Sequence, residues 1–368
     1  MKIKVSEKLN KLAKAFGHDN PLLIVGGYVR NMLCRLDSHD VDLASCLTID
    51  QVKKILPQDY SIKVKSKELN TCEISCGDET YEYATFRREI YNNGGEHKPS
   101  IINFDATIVE DVSRRDFTCN SLYYDIIDQK LIDFYGGEKD IKDRKIKTIE
   151  TPDFVLKNDG ERILRMIRFA CELNFVIDNE TYIYADQYKD NLSKISIDRK
   201  REEFLKILKA NLTYKKIDRK SLFNKNRAYN GIKLIDKMDL WQYFSADERI
   251  KNLRGIGAYL TCFIKEKENP VTAFFVDAYY YLKRLEIINS TKDFENAFLG
   301  SHGLNFSKAT KREIIDTIKN LENAESLTEK ELSYKVDFTN KHLKGNALLQ
   351  KLLKIKDPKA YAWAKKLL

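Results

Sequence analysis

Apolar positions follow two different rhythms along this chain. Up to about residue 145 they come in short runs broken by Gly, Asn and Asp, at residues 22–25, 41–43, 81–86, 101–104 and 122–127. Apolar runs of that length between turn formers predict strands. From residue 158 onward the period becomes helical. Ile163, Ile167 and Ala170 recur at i, i+4 and i+7, and Phe204, Leu205 and Leu208 continue the pattern in a second helix. Only six prolines fall in 368 residues, which suits a helical body. The expected fold class is α+β, a head with a mixed sheet and helices followed by all-helical segments. The pattern divides the chain near residue 145 into an α/β head and helical segments. Gly136 and Gly137 mark the exit from the head. No internal repeat or low-complexity tract is visible.

Charge adds a partner class. Lys+Arg 64 against Asp+Glu 55 leaves +9, a basic excess that suits a polyanion. Residues 341–366 carry eight lysines against Asp357 alone. That segment reads either as the solvated face of an amphipathic helix or as a phosphate-tracking surface. Seven cysteines, odd in number and scattered, show no zinc spacing; Cys72 and Cys76 lack a second pair. Reduced cysteines and a cytoplasmic setting are expected. The first 16 residues lack the apolar core of a signal peptide. No apolar run approaches the ~18 residues of a membrane helix, so no membrane association is expected.

Candidate chemistry begins at residue 22. A short strand runs into Gly26–Gly27, and residues 28–33 then read as a helix start. A glycine pair there lets backbone N–H groups approach a phosphate, and Arg30 stands one turn in, in reach of the same anion. The pattern is neither the dinucleotide fingerprint nor the Walker loop. Asp40 and Asp42 follow on alternate positions, so in a strand they share one face while Val41 and Leu43 point inward. Two carboxylates on one face repel unless a cation lies between them, and Mg²⁺ takes a pair of carboxylates together with substrate phosphates. Glu82, within the run 81–86, is the candidate for a third acid on a neighbouring strand. Further on, Asp159 and Arg162 are three apart on an expected helix, with Arg165 and Arg168 at the same step. An Asp–Arg pair sets an acceptor beside a donor. Cytosine and adenine each offer an amino donor beside a ring-nitrogen acceptor, whereas uracil and guanine offer the reverse. Such a pair admits CTP and ATP and leaves UTP or GTP with opposed polar groups, at about 1–3 kcal/mol for each one left unpaired.

Four segments in order resemble the class II CCA-adding enzymes, within the tRNA nucleotidyltransferase and bacterial poly(A) polymerase family. They are GGYVRNMLCRLDSHDVDLAS at 26–45, RRDFTCNSLYYD at 114–125, NDGERILRMIRFACELNF at 158–175 and ISIDRKREEFLKIL at 195–208. The resemblance covers about the first 210 residues and little beyond. It implies a polymerase-β-like head over 1–146, a helical neck over 147–212, and a helical body and tail over 213–368. It implies template-independent addition of CCA to the 3′ end of tRNA from CTP and ATP, with two Mg²⁺ ions on Asp40 and Asp42. It implies triphosphate contacts at Gly26, Gly27 and Arg30, and ribose selection by Arg114, Arg115, Asp116 and Thr118. Base choice falls to Asp159 and Arg162, with Arg165 and Arg168 lining the nucleotide site. The loop at 90–100 lies where the family has a mobile loop tied to the switch from C to A. Asn31, Asn158, Gly160 and Ser121 stand where the family usually has Asp, Glu, Pro and Ala. No protein partner is implied.

Narrower tasks on the same scaffold are CC addition, A addition or poly(A) synthesis. Leu43-Ala44-Ser45-Cys46 stands where the poly(A) branch has a basic run, which favours tRNA as substrate. A non-catalytic RNA-binding protein is the alternative of a different class, and clustered acids such as Asp40 and Asp42 argue against it. A metal phosphohydrolase built on His39-Asp40 would need ligand spacing that the five histidines do not show.

Overall fold

The computed structural model describes residues 3–38, 40–91, 94–96, 99–214, 217, 227–251 and 269–325. The basic segment at 341–366 lies outside these residues, as do Asn92, Asn93, His39 and His97. Two compact units divide between Ile195 and Ser196, inside the expected neck, so the first part of that neck packs with the head. No helix among the described residues is long and apolar enough to cross a membrane.

The first unit is built on a seven-stranded mixed sheet in the order β3-β4-β5-β2-β1-β8-β9. Its strands are β1 (Leu23–Val25), β2 (Asp42–Ser45), β3 (Ser61–Ser66), β4 (Thr71–Cys76), β5 (Glu79–Thr85), β8 (Tyr123–Asp125) and β9 (Lys130–Ile132). Neighbours are antiparallel except for β2 and β5, which run parallel. The expected strand at 101–104 exists as β7 (Ile101–Asn103), but it pairs only with β6 (Arg88–Ile90) in a separate hairpin. The strand expected at 41–43 starts one residue later, so Asp40 lies outside it and Val41 is only half-buried.

Each face of this sheet has its own cover. On one side, Phe16 of helix α1 (Glu7–Phe16) packs its ring on Tyr83 of β5, centroids 5.9 Å apart. On the other side, Leu23, Val25, Ala44 and Tyr123 form a core with Val112 and Val155. Val112 belongs to α4 (Ile108–Ser113) and Val155 to α6 (Pro152–Asn158). Because side chains alternate along a strand, Asp42 and Glu82 share this second face with Ala44. The cover stops there: Glu82 is exposed, as are Ser61, Lys63 and Lys65 of β3 beyond it.

Helix α7 (Glu161–Leu173) follows α6 after a two-residue turn. Almost all of α7 is buried, Arg162 and Arg168 included, so the arginines expected on its polar side are enclosed rather than solvated. Asn174 closes the helix in the left-handed region, φ 56°, the usual stop signal. The loop after β6 is docked on the turn before α7. Gly95 donates its N–H to the Asn158 carbonyl (2.9 Å) and accepts from the Gly160 N–H (3.2 Å). Asp159, between those two residues, is bracketed by this pair of backbone bonds. Gly160 is held close: a Cβ there would lie 2.6 Å from the Asn191 carbonyl oxygen. That approach accounts for glycine at a position where the family usually has proline.

The second unit is helical throughout its described residues. Phe204, on the helix Ile197–Leu208, sits at the centre of an aromatic cluster. Its ring lies 5.1 Å from Phe244 and 5.3 Å from Phe274, and Trp241 stacks on Phe274 at 6.2 Å. All four are fully buried, each worth roughly 1.5–3 kcal/mol of apolar transfer.

The tight contact at Gly160 gives a first prediction. Gly160→Ala drives a methyl group into backbone that has no rotamer to yield. It is expected to cost about 1–3 kcal/mol and to lower the melting temperature by about 2–10 °C. Thermal unfolding measures this, and an unchanged midpoint would contradict the packing described.

Candidate active site

The acids come together as the sheet dictates. In the parallel pair β2/β5, Asp42 stands directly opposite Glu82, so the two carboxylates project side by side from one face. Asp40 is exposed, two residues before Asp42. Burial pushes the Asp42 carboxyl up to about 6, and the negative charges of Glu82 and Asp40 add to this while Arg115 opposes it. An acid in that position keeps its proton to higher pH because burial and like charges outweigh the one opposing guanidinium. Hard oxygen donors crowded on one face are what a divalent cation accepts, with substrate oxygens completing its shell. Among the described residues no three His, Cys, Asp or Glu side chains converge into a ready-made metal cage.

Beside the acids lies the glycine turn. Gly26 adopts φ 65°, a left-handed conformation that suits glycine, and its N–H bonds to the Leu122 carbonyl at 3.0 Å. Gly27 begins α2 (Gly27–Leu33). A Cβ on Gly26 would sit 3.1 Å from Nη1 of Arg115, so that guanidinium lies against the turn. Arg30 is directed inward. Its Nη1 donates to Asn120 Oδ1 (2.5 Å), its Nε and Nη2 donate to Asn31 Oδ1, and its guanidinium faces the Phe169 ring at 5.2 Å. Asn31 thus orients Arg30 as a neutral acceptor where the family usually has Asp.

Residues 114–118 split into two groups. Arg114 and Arg115 are fastened to Asp111, a buried carboxylate one turn earlier on α4. Asp111 also accepts from the Arg87 N–H (3.0 Å) and from the Tyr123 hydroxyl. Burial raises the Asp111 carboxyl, but Arg114 and Arg115 outweigh it and bring it down to about 2. Asp116 and Thr118 point elsewhere. Asp116 takes a two-pronged contact from Arg165 of α7 (2.8 and 2.5 Å) on Oδ2, while Oδ1 accepts from Asn120 (3.0 Å) and the Phe117 N–H (2.8 Å). Burial raises this acid too, and the Arg165 pair with the Asn120 bond brings it to about 2. The Thr118 hydroxyl, fully enclosed, donates to Asp140 (2.7 Å) on α5 (Gly137–Lys142). Ser121 donates to the Thr118 carbonyl at 2.7 Å.

Asp159 and Arg162 do meet, but not as two residues on one helix. Asp159 lies in the turn before α7, extended at φ −143°, and its Oδ1 accepts from the Glu161 N–H at 2.9 Å. Its Oδ2 faces Arg162 Nε at 3.6 Å. Arg162 also donates Nη1 to the Val155 carbonyl (3.3 Å) and Nη2 to the Arg114 carbonyl (2.7 Å). Two of the five guanidinium N–H donors are thus hydrogen-bonded to backbone carbonyls, while Nε faces Asp159. Arg168 lies over Phe169 at 3.9 Å and pairs with Glu172 at 3.0 Å. The structure therefore gathers Asp40, Asp42, Glu82, Gly26 and Arg115 in one place, and joins Arg162 to Arg114. Arg30, Asp116, Thr118 and Arg168 brace that arrangement from within. Asp111, Asn120 and Tyr123 are not singled out by the sequence, and Gly95 only as part of the loop at 90–100. A capping-box Thr107–Glu110 directly before Asp111 is the one local signal that marks its helix.

This geometry has relatives. Residues 22–147 match the poly A polymerase head domain. The CCA-adding enzyme of Bacillus subtilis is 35% identical over 184 residues, 50% of this chain and 45% of that protein. That of Streptococcus mutans is 33% identical over 227 residues, 61% of this chain and 54% of that protein. The chain thus spans about half the length of these curated relatives. A crystal structure of the Bacillus stearothermophilus CCA-adding enzyme in complex with CTP superposes with a TM-score of 0.70 at 20% identity, covering 99% of this chain and 82% of that one. A tRNA nucleotidyltransferase complexed with a primer tRNA and an incoming ATP analog gives 0.62 at 21% identity, covering 98% of both. At those identities the likeness speaks for the fold. Residues 22–147 thus carry a poly A polymerase head domain, and the chain is similar over about half its length to CCA-adding enzymes.

Proposed function

We propose that this chain adds CCA to the 3′ end of tRNA from CTP and ATP, without a nucleic-acid template. The observation that carries the reading is the bond from Arg162 to the Arg114 carbonyl. It ties a donor–acceptor pair suited to reading bases to the arginine motif beside Asp42. In this reading Asp40 and Asp42 hold two Mg²⁺ ions. When bound, these supply Lewis-acid activation of the tRNA hydroxyl and neutralise charge around the α-phosphate. Glu82 adds a third carboxylate beside the attacking hydroxyl. Gly27 offers its backbone N–H to the triphosphate, Gly26, whose own N–H is bonded to Leu122, lets the phosphate approach the turn, and Arg115 offers its guanidinium to the same charge. Arg114, on the neighbouring position, faces the sugar. Asp159 accepts from the amino group of cytosine or adenine, and the remaining donors of Arg162 reach the ring nitrogen. Arg30, Asp116, Arg165 and Arg168 keep these groups in place. The head is 1–146, the neck 147–212, and the body and tail over 213–368 hold the acceptor stem by its shape and backbone. Free, scattered cysteines among the described residues suit a cytoplasmic enzyme.

Asp42→Ala is expected to abolish nucleotide transfer to tRNA while tRNA binding stays within about twofold, since one carboxylate contributes nothing to holding a polyanion. Gel analysis of extension and a filter-binding titration read the two properties. Retained turnover would sink the assignment. Arg162→Ala is expected to relax selection against UTP by on the order of tenfold or more; a CTP-to-UTP ratio equal to wild type would remove Arg162 from base choice.

The raised Asp42 carboxyl carries a stability signature. Between about pH 4 and about 6 the folded chain keeps a proton that the unfolded chain has lost. Stability therefore falls as pH rises through that window, and the full cost remains above it. Asp42→Asn is expected to raise the metal-free melting temperature at pH 7 by about 2–4 °C and to erase stabilisation by added Mg²⁺. A variant that melts lower, or still gains from Mg²⁺ as wild type does, would contradict this.

A further inference from the structure

Asp111 is among the most enclosed charged groups of the first unit, 1% exposed, and the reaction scheme gives it no contact with substrate. Its two oxygens nevertheless meet both guanidinium groups of the arginine motif, Arg114 being shared with Glu89 at 3.4 Å. Oδ1 accepts from Arg114 Nε (2.9 Å) and the Arg87 N–H (3.0 Å). Oδ2 accepts from the Tyr123 hydroxyl and from Arg115 Nη2 (3.4 Å). Tyr123 closes the arrangement from the other side: its hydroxyl accepts from Arg115 Nε (2.8 Å) and its ring lies 4.8 Å beneath that guanidinium. Arg115 is thereby fixed against the Gly26 turn. Arg114 ends α4, where its backbone carbonyl accepts from Arg162 while its side chain is anchored on Asp111.

We propose that Asp111 is a positioning residue shared by two subsites, setting Arg115 for the triphosphate and, through Arg114, setting Arg162 for the base. The assignment rests on the nucleotidyl-transfer reading above and deepens it. The physical reason is geometric. Arginine presents its donors in a rigid fork, so a guanidinium held at two of its nitrogens has one orientation left for the rest. A carboxylate is needed because it accepts at four lone-pair sites and donates at none. An amide in its place turns an N–H₂ toward one of the guanidinium groups. Acids that touch no substrate can matter this much because groups must be held to within a fraction of an ångström for the transfer geometry.

The two roles predict paired losses. In the full-length chain, Asp111→Asn is expected to raise KM for both CTP and ATP on the order of tenfold and to narrow the CTP-to-UTP preference by on the order of tenfold. The Kd for tRNA should stay within about twofold, because no phosphate-tracking cation is removed. Tyr123→Phe keeps the ring and its stacking but deletes the hydroxyl between Asp111 and Arg115, and is expected to raise the nucleotide KM in the same direction. It stands as the test should Asp111→Asn fail to fold. Steady-state addition kinetics with each nucleotide, alongside melting curves, supply the measurement. A purely structural Asp111 would lower the melting temperature and the active fraction while KM and the base ratio stayed at wild-type values, and that result overturns the assignment. An active wild type with unchanged variants overturns it alone; a wild type that transfers nothing overturns the transfer reading and this assignment with it.

Discussion

A guanidinium keeps its charge at any pH a protein meets, so an arginine drawn into a fold must find acceptors there, and a carboxylate is the strongest of them. Two buried acids meet that demand here. Asp111 holds Arg114 and Arg115, and Asp116 holds Arg165. Each is deeply buried, which alone would favour its proton, and each is nevertheless ionised because the arginine field is stronger. Asp42 shows the same physics with the sign reversed. Burial lifts its carboxyl to about 6, Glu82 and Asp40 add to the rise, and Arg115 opposes it without cancelling it. The molecule thus keeps paired acids as internal fixtures and leaves crowded acids on the open part of the sheet, short of a positive partner.

Those fixtures join elements far apart in sequence. Arg30 on α2 reaches Asn120, Asn120 reaches Asp116, and Asp116 reaches Arg165 on α7. A second line runs from Tyr123 on β8 through Asp111 to Arg114 and on to Arg162. Phe169 lies where three guanidinium groups, those of Arg30, Arg165 and Arg168, face one ring. Hydrogen bonds to charged groups are worth about twice neutral ones, and buried networks of them are intolerant of a missing member. The acids of the sheet and the turn before α7 are therefore parts of one rigid arrangement within the first unit. Gly95 and Gly160 add a backbone clasp around Asp159, possible because neither has a side chain to place against Asn191.

Much of this was legible in the residues. Short apolar runs located β1, β5 and β8 to within two residues at either end, and the change of period located α7. Glu82 is expected on a strand neighbouring the Asp40–Asp42 pair, and the register sets it opposite Asp42. β3 and β4 escaped notice because they read SIKVKS and TCEISC, with Lys, Ser and Glu on the open face diluting the apolar signal. Asp159 was placed on a helix because a spacing of three is the same in a helix and across its N-terminal turn. The inward direction of Arg30, Asp116 and Thr118 was hidden for a plainer reason. Charged side chains look alike in sequence whether they face a ligand or a buried partner, and only the partner's position, such as Asp140 for Thr118, tells them apart. Asp111 was invisible on the same ground.

The central claim is that this arrangement completes tRNA ends with a base choice made by protein. Nucleotide addition at single-nucleotide resolution tests it most directly. Purified protein would be given Mg²⁺, CTP and ATP with tRNAs that end before CCA, after the first C, and after CC. The account predicts that all three are extended to a finished CCA end and no further. Extension that stops at CC, that starts only from CC, or that runs on into long A tails would contradict it, and so would the absence of any product.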